Sequence, residues 1–63
     1  MKSYSSRELI QMIEAKGWYF VKAEGSHHHF KHPDYSYKIT IPHPNRDLKP
    51  KTLRSIMRAA GLL

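Results

Sequence analysis

The spacing of apolar residues changes twice along this chain, and that leaves few folds open to it. Leu9, Ile10, Met12 and Ile13 recur at the period of a helix. From Trp18 the composition turns aromatic and β-branched, as WYFVKAE, and from Tyr37 to Pro42 Tyr, Ile and Ile alternate with Lys and Thr. Helical spacing returns at Leu53, Ile56, Met57 and Ala60. The periods alone predict a helix, a stretch of strands and a second helix.

Punctuating residues sharpen the elements. Ser5-Ser6-Arg7-Glu8 reads as a capping box, in which a serine oxygen accepts first-turn amides and Glu8 reaches back to the cap. The first helix is predicted over Ser6 to Lys16, with Gly17 taking the left-handed conformation that ends it. Glu24-Gly25 separates WYFVKAE from SHHHFKH as in a hairpin, and His32-Pro33-Asp34 supplies the next turn. HPNRDLKP is too rich in proline, Asn and Asp for regular structure, so it reads as a loop. Pro50 suits the first turn of the second helix, and Gly61 closes it. The expected fold is α+β with the order αβββα: a three-stranded antiparallel sheet with two helices on one face. Residues 1–63 form one small domain near the lower limit for a self-supporting core, without repeat or linker.

There is no cysteine, which removes disulfides, thiolate nucleophiles and cysteine zinc sites, and a reducing cytoplasmic setting is expected. No apolar stretch is long enough to span a bilayer, and Arg7 and Glu8 interrupt the region a signal peptide would need, so the chain is expected to be soluble and complete. Eleven Lys and Arg against five Asp and Glu give a formal charge of +6. That charge implies a polyanionic partner. Nucleic acid fits better than membrane, because the basic residues are interleaved with aromatics and β-formers instead of lying on one long helix.

Four of the five histidines fall within GSHHHFKHP, residues 25–33. Taking Glu24 and Gly25 as the central residues of a tight turn pairs Ala23 with Ser26, Lys22 with His27 and Val21 with His28. Val21 and Phe30 are the natural core residues, so His28 shares the helix-covered face, and His27, His29, Lys31 and Lys22 share the open one. Phe20 then falls on the open face, against its chemistry. Successive strand histidines point to opposite faces, so the run offers at best His27 and His29 as a pair, with nothing obvious to complete a tetrahedron; no metal or other cofactor is expected. His28 and His32 fit as packed aromatics of a sheet. An exposed imidazole among lysines suits a different task. RNA carries its own nucleophile, and a base that takes the 2′-hydroxyl proton beside cations that stabilise the phosphate cleaves it without a metal.

The segments GWYFV, GSHHHFKHP, ITIPHPNRDLKPKTLRSI and the terminal AAGL, in this order and spacing, resemble the HicA toxins of bacterial HicBA toxin-antitoxin systems over essentially the whole chain. The resemblance implies a fold like a double-stranded-RNA-binding domain, acting as a ribosome-independent mRNA endoribonuclease that arrests translation. It implies that His27 of the Gly-Ser-His motif is catalytic, with Gly25 and Ser26 forming the turn that presents it. It implies a HicB-like antitoxin as protein partner and mRNA as substrate. The general acid is left open, with His29, Lys22 and Lys31 as candidates. Lys22, His29, Lys31, Lys49, Lys51 and Arg54 are candidate RNA contacts, the last three from the start of the second helix. His43, between two prolines, is expected to fix its loop. The rival readings are a non-catalytic RNA-binding module of the same fold, and a scaffold for an operon-repressing HicB complex.

Overall fold

The computed structural model describes residues 3–63. Its elements are α1 (Ser6–Glu14), β1 (Tyr19–Glu24), β2 (His27–His32), β3 (Tyr35–Pro42) and α2 (Pro50–Ala59). The strands form one antiparallel meander in the order β1-β2-β3, and α1 and α2 both pack against β3. The fold is therefore α+β, as the periods predict.

The capping box forms as written in the sequence: Glu8 N–H donates to Ser5 Oγ at 3.1 Å, and Ser5 N–H donates to Glu8 Oε1 at 2.9 Å. Leu9 and Ile13 are fully buried from this helix. α1 stops at Glu14, short of the expected Lys16, and the chain tightens at once: Trp18 N–H donates to the Ile13 carbonyl at 3.1 Å and Gly17 N–H to that of Glu14 at 3.0 Å. Gly17 has φ +98°, and a Cβ there would lie 2.8 Å from His32 Nε2. Both the dihedral and the close approach require glycine.

The core joins Leu9 and Ile13 to Trp18, Phe30, Ile39 and Ile41 of the sheet region and to Leu53, Ile56 and Met57 of α2. All four apolar residues of the second stripe, Leu53, Ile56, Met57 and Ala60, are buried. Trp18 anchors the seam, since Nε1–H donates to the Ala60 carbonyl at 3.2 Å and the indole stacks on Tyr35 at 5.2 Å.

Three expectations are corrected. The tight turn is centred on Gly25-Ser26, with Glu24 pairing His27, instead of on Glu24-Gly25. Gly25 has φ +60° and no non-glycine residue among the described residues has positive φ; this is the sign pattern of a type II′ turn, which takes glycine at its first central position, and the expected turn would have forced Glu24 into that conformation. Lys22 consequently pairs with His29 and Ala23 with His28. A slip of two residues keeps each side chain on its face, so the division of the histidines survives. Val21, expected in the core, is exposed, because the register shifts between Phe20 and Lys22 and leaves it as the extra residue of a β-bulge. The bulge also returns Phe20 to the face of Phe30, whose ring meets it edge-on at 5.8 Å. Finally, the HPNRDLKP loop carries a core residue: Leu48 is buried and its N–H donates to the Tyr4 carbonyl at 3.0 Å, which straps the loop onto the start of α1. Burying one leucine side chain is worth roughly 1.5–3 kcal/mol.

Candidate functional site

The sheet face away from the helices carries Lys22 and Glu24 from β1, His27, His29 and Lys31 from β2, and Lys38 and Thr40 from β3, by strand alternation and register. Lysines outnumber the single carboxylate on this face, which makes it attractive to a polyanion. Lys38 escaped the sequence reading, although its alternation with Ile39 already put it opposite the core.

The five histidines are held in very different ways. His32 Nε2 lies 2.8 Å from the Lys16 carbonyl, which only accepts, and Nδ1 accepts the Asp34 N–H at 3.0 Å. Its ring hydrogen is therefore on Nε2, and both nitrogens are engaged. His28, beside Phe20, meets the His43 ring edge-on at 4.9 Å. Its Nδ1 is 3.4 Å from the Ser26 carbonyl. His43 Nδ1 is 2.7 Å from Ser6 Oγ, and its N–H donates to the Ser26 carbonyl at 2.7 Å, so it fixes its loop as expected. Each of these three is held by a structural contact.

His29 is the correction within the candidate site. It lies on the open face but is only 7% exposed; Nε2–H donates to Glu24 Oε1 at 2.8 Å and Nδ1 is 2.9 Å from Thr40 Oγ1. With both ring nitrogens occupied it offers RNA no donor or acceptor. Glu24 in turn accepts from His29 and sits 3.6 Å from Lys22 Nζ. The hydrogen bond from His29, followed by the positive charge of Lys22, holds its carboxyl below the usual carboxylate range. Sequence reading missed Glu24 and Thr40 as the partners that fix His29; the signal was available in the pairing register, which sets all three on one face.

His27 differs from the rest. It is the first residue of β2, directly after the Gly25-Ser26 turn, opposite Glu24 on one side and Pro42 on the other. Its side chain is exposed, and neither ring nitrogen makes a hydrogen bond among the described residues. Such an imidazole is available for proton transfer to a ligand on the surface. Lys22, opposite His29, and Lys31, opposite Tyr19, are exposed on the same face further along the strands.

The remaining candidates form a separate group. Lys49 is the N-cap of α2 and makes no side-chain capping bond, while Lys51 and Arg54 line a shallow pocket of about 260 Å³ with Pro50. All three are exposed. Among the described residues, no three His, Asp or Glu side chains gather into a group that could hold a metal ion, and no helix is long and apolar enough to cross a membrane.

A helix, an antiparallel meander and a second helix, with an unencumbered histidine at the first hairpin, define a small α+β protein with a basic open sheet face. The model of the HicA toxin of bacterial toxin-antitoxin systems matches residues 6–62. The chain belongs to the HicA toxin family. A solved structure, the "HicA3 and HicB3 toxin-antitoxin complex", superposes with a TM-score of 0.75 at 30% sequence identity, over 94% of this chain and 96% of that one. No curated protein matches the sequence.

Proposed function

We propose that this toxin is a metal-independent endoribonuclease that cuts mRNA with His27 as general base. The observation behind this reading is the contrast among the imidazoles: His28, His29, His32 and His43 each have a ring nitrogen against a structural partner, and His27, at the hairpin corner beside a lysine-bearing face, has none among the described residues. In the reaction the 2′-oxygen bonds to phosphorus as the P–O5′ bond breaks. The 2′-hydroxyl proton passes to His27, and the departing 5′-oxygen takes a proton from that imidazolium or from water. The products are a 2′,3′-cyclic phosphate and a 5′-hydroxyl. Lys22 and Lys31 supply positive charge on the same sheet face, and Lys49, Lys51 and Arg54 hold the strand electrostatically. The same reading makes residues 1–63 a single functional unit of the cytoplasm, neutralised by a HicB-like antitoxin. The pairing of the two proteins in the similar complex supports that partner.

The test is cleavage of labelled mRNA in excess chelator by the native protein and by His27→Ala, with circular dichroism to compare folds and anisotropy to compare binding. We expect the variant to lose cleavage by about 10²-fold or more while still binding RNA. Binding without cleavage by both proteins overturns the enzyme in favour of a non-catalytic RNA-binding module. Products ending in 5′-phosphate overturn the 2′-hydroxyl mechanism.

A further inference from the structure

Ser6 stands at the first position of α1, yet its side chain serves a loop far along the chain. It is 1% exposed, its Oγ accepts the Asn45 N–H at 2.8 Å, and the same oxygen is 2.7 Å from His43 Nδ1. A hydroxyl has a single hydrogen, and here it is shut off from water; among the described residues His43 Nδ1 is the acceptor within its reach. The hydroxyl therefore donates to Nδ1, which places the ring hydrogen of His43 on Nε2. Nε2 has no partner among the described residues, and His43 lines an open pocket of about 520 Å³ together with Arg7, Asn45 and Arg46. Neither guanidinium makes an ion pair among the described residues. At the helix terminus the capping box engages the Ser5 and Glu8 amides, and Ser6 N–H donates to the Asn45 carbonyl at 2.8 Å. The attraction comes from side chains: two planar cationic forks and one imidazole with its donor position fixed from behind.

The pocket adjoins the hairpin corner. His43 N–H donates to the Ser26 carbonyl at 2.7 Å, and Pro42, the residue before it, is the cross-strand partner of His27. We infer that this pocket is a phosphate subsite: Arg7, Arg46 and the Nε2–H of His43 bind a phosphodiester group of the RNA next to the one His27 attacks. This rests on the reading of the protein as an RNA-cutting toxin. Guanidinium forks match phosphate oxygens two at a time, and a strand whose scissile bond lies at His27 is continuous, so its neighbouring phosphate must leave across the surface beside that corner. An acidic peptide of the antitoxin is the competing occupant, but it has no comparable reason to start at His27.

The experiment is an NMR titration of the full chain with a 2′-O-methyl oligoribonucleotide, which lacks the attacking hydroxyl and is not cut, repeated on an Arg7→Gln/Arg46→Gln variant. Backbone amides of Arg7, His43, Asn45 and Arg46 are expected to shift in the native protein. The double variant should bind about 10-fold more weakly, and its plot of log affinity against log salt should be shallower by about 1.4, the value for two contacts on a single strand. Unchanged affinity and slope, or shifts confined to the open sheet face, overturn the subsite; so does a pocket that responds to a glutamate-rich peptide and not to the oligonucleotide. Because the probe cannot be cleaved, the two readings fail separately. A filled pocket in a protein that never cuts RNA overturns the enzyme, and cleavage with an unfilled pocket overturns the subsite.

Discussion

His29 Nε2–H donates to Glu24 Oε1 at 2.8 Å on the first strand, while its Nδ1 stands 2.9 Å from Thr40 Oγ1 on the third. One imidazole thus ties the entire width of the sheet together on the face that lacks helices. Lys22, Lys31, Lys38 and His27 share that face with a ring held at both of its nitrogens.

This tie makes stability depend on acid. Glu24 is held below its ordinary value of 4.5, chiefly by the His29 hydrogen bond and then by Lys22, so the folded protein holds this proton less tightly than the unfolded chain. Its contribution is complete above the unfolded value and disappears as pH falls through the lowered folded value. The melting temperature of Glu24→Gln should therefore lie below that of the native protein at neutral pH and converge with it in acid. A gap that stays constant on acidification refutes the coupling.

The two turn glycines should respond unequally to alanine. At Gly25 a Cβ meets nothing within 4 Å, and the cost is that of the left-handed backbone alone, about 1–2 kcal/mol. At Gly17 the Cβ also collides with His32 Nε2 at 2.8 Å, in a ring whose nitrogens are both committed. Urea unfolding followed by Trp18 fluorescence should give Gly17→Ala the lower midpoint of the two. Equal midpoints would show that His32 yields freely.

Ser6→Ala removes a buried oxygen that serves both the Asn45 amide and the His43 ring. The expected loss is about 1–3 kcal/mol, because two groups lose their partner together. Amide exchange at Asn45 should accelerate well beyond any change at Ile39 in the sheet. A uniform acceleration would mean that the loop is not selectively released.

Neutralising the start of α2 tests the other basic group. Lys51→Gln/Arg54→Gln should weaken RNA binding and reduce its salt slope by about 1.4, with cleavage at saturating RNA nearly intact. A fall in the saturated rate with unchanged binding would place these side chains at the reacting phosphate instead.

The sequence announced its helices through local chemistry. Ser5, Glu8, Gly17, Pro50 and Gly61 act within a turn or two of themselves, so their roles need no knowledge of the rest of the chain. The division of the histidines between faces was also legible, because alternation is indifferent to an even slip in register. The position of the hairpin turn was not: Glu24-Gly25 and Gly25-Ser26 are both plausible on composition, and the choice is made by which residue must take positive φ. The bulge at Val21 was hidden for a related reason, since it is set by the joint demand that Phe20 meet Phe30 and Lys22 face His29. Leu48 and the Ser6–His43 link depend on contacts between distant segments, the latter 37 residues apart, and no local pattern announces them.

The bulge at Val21 also bears on solubility at high concentration. β1 is an outer strand bearing exposed Tyr19, Phe20 and Val21, a combination that invites a second copy to add on as a further strand. Where one residue is supernumerary, the spacing of outward-pointing amides and carbonyls is broken in mid-strand, and an identical edge brought alongside falls out of step at that point. The irregularity that moves Phe20 to the core face thus gives this small cationic toxin a guard against stacking into fibres.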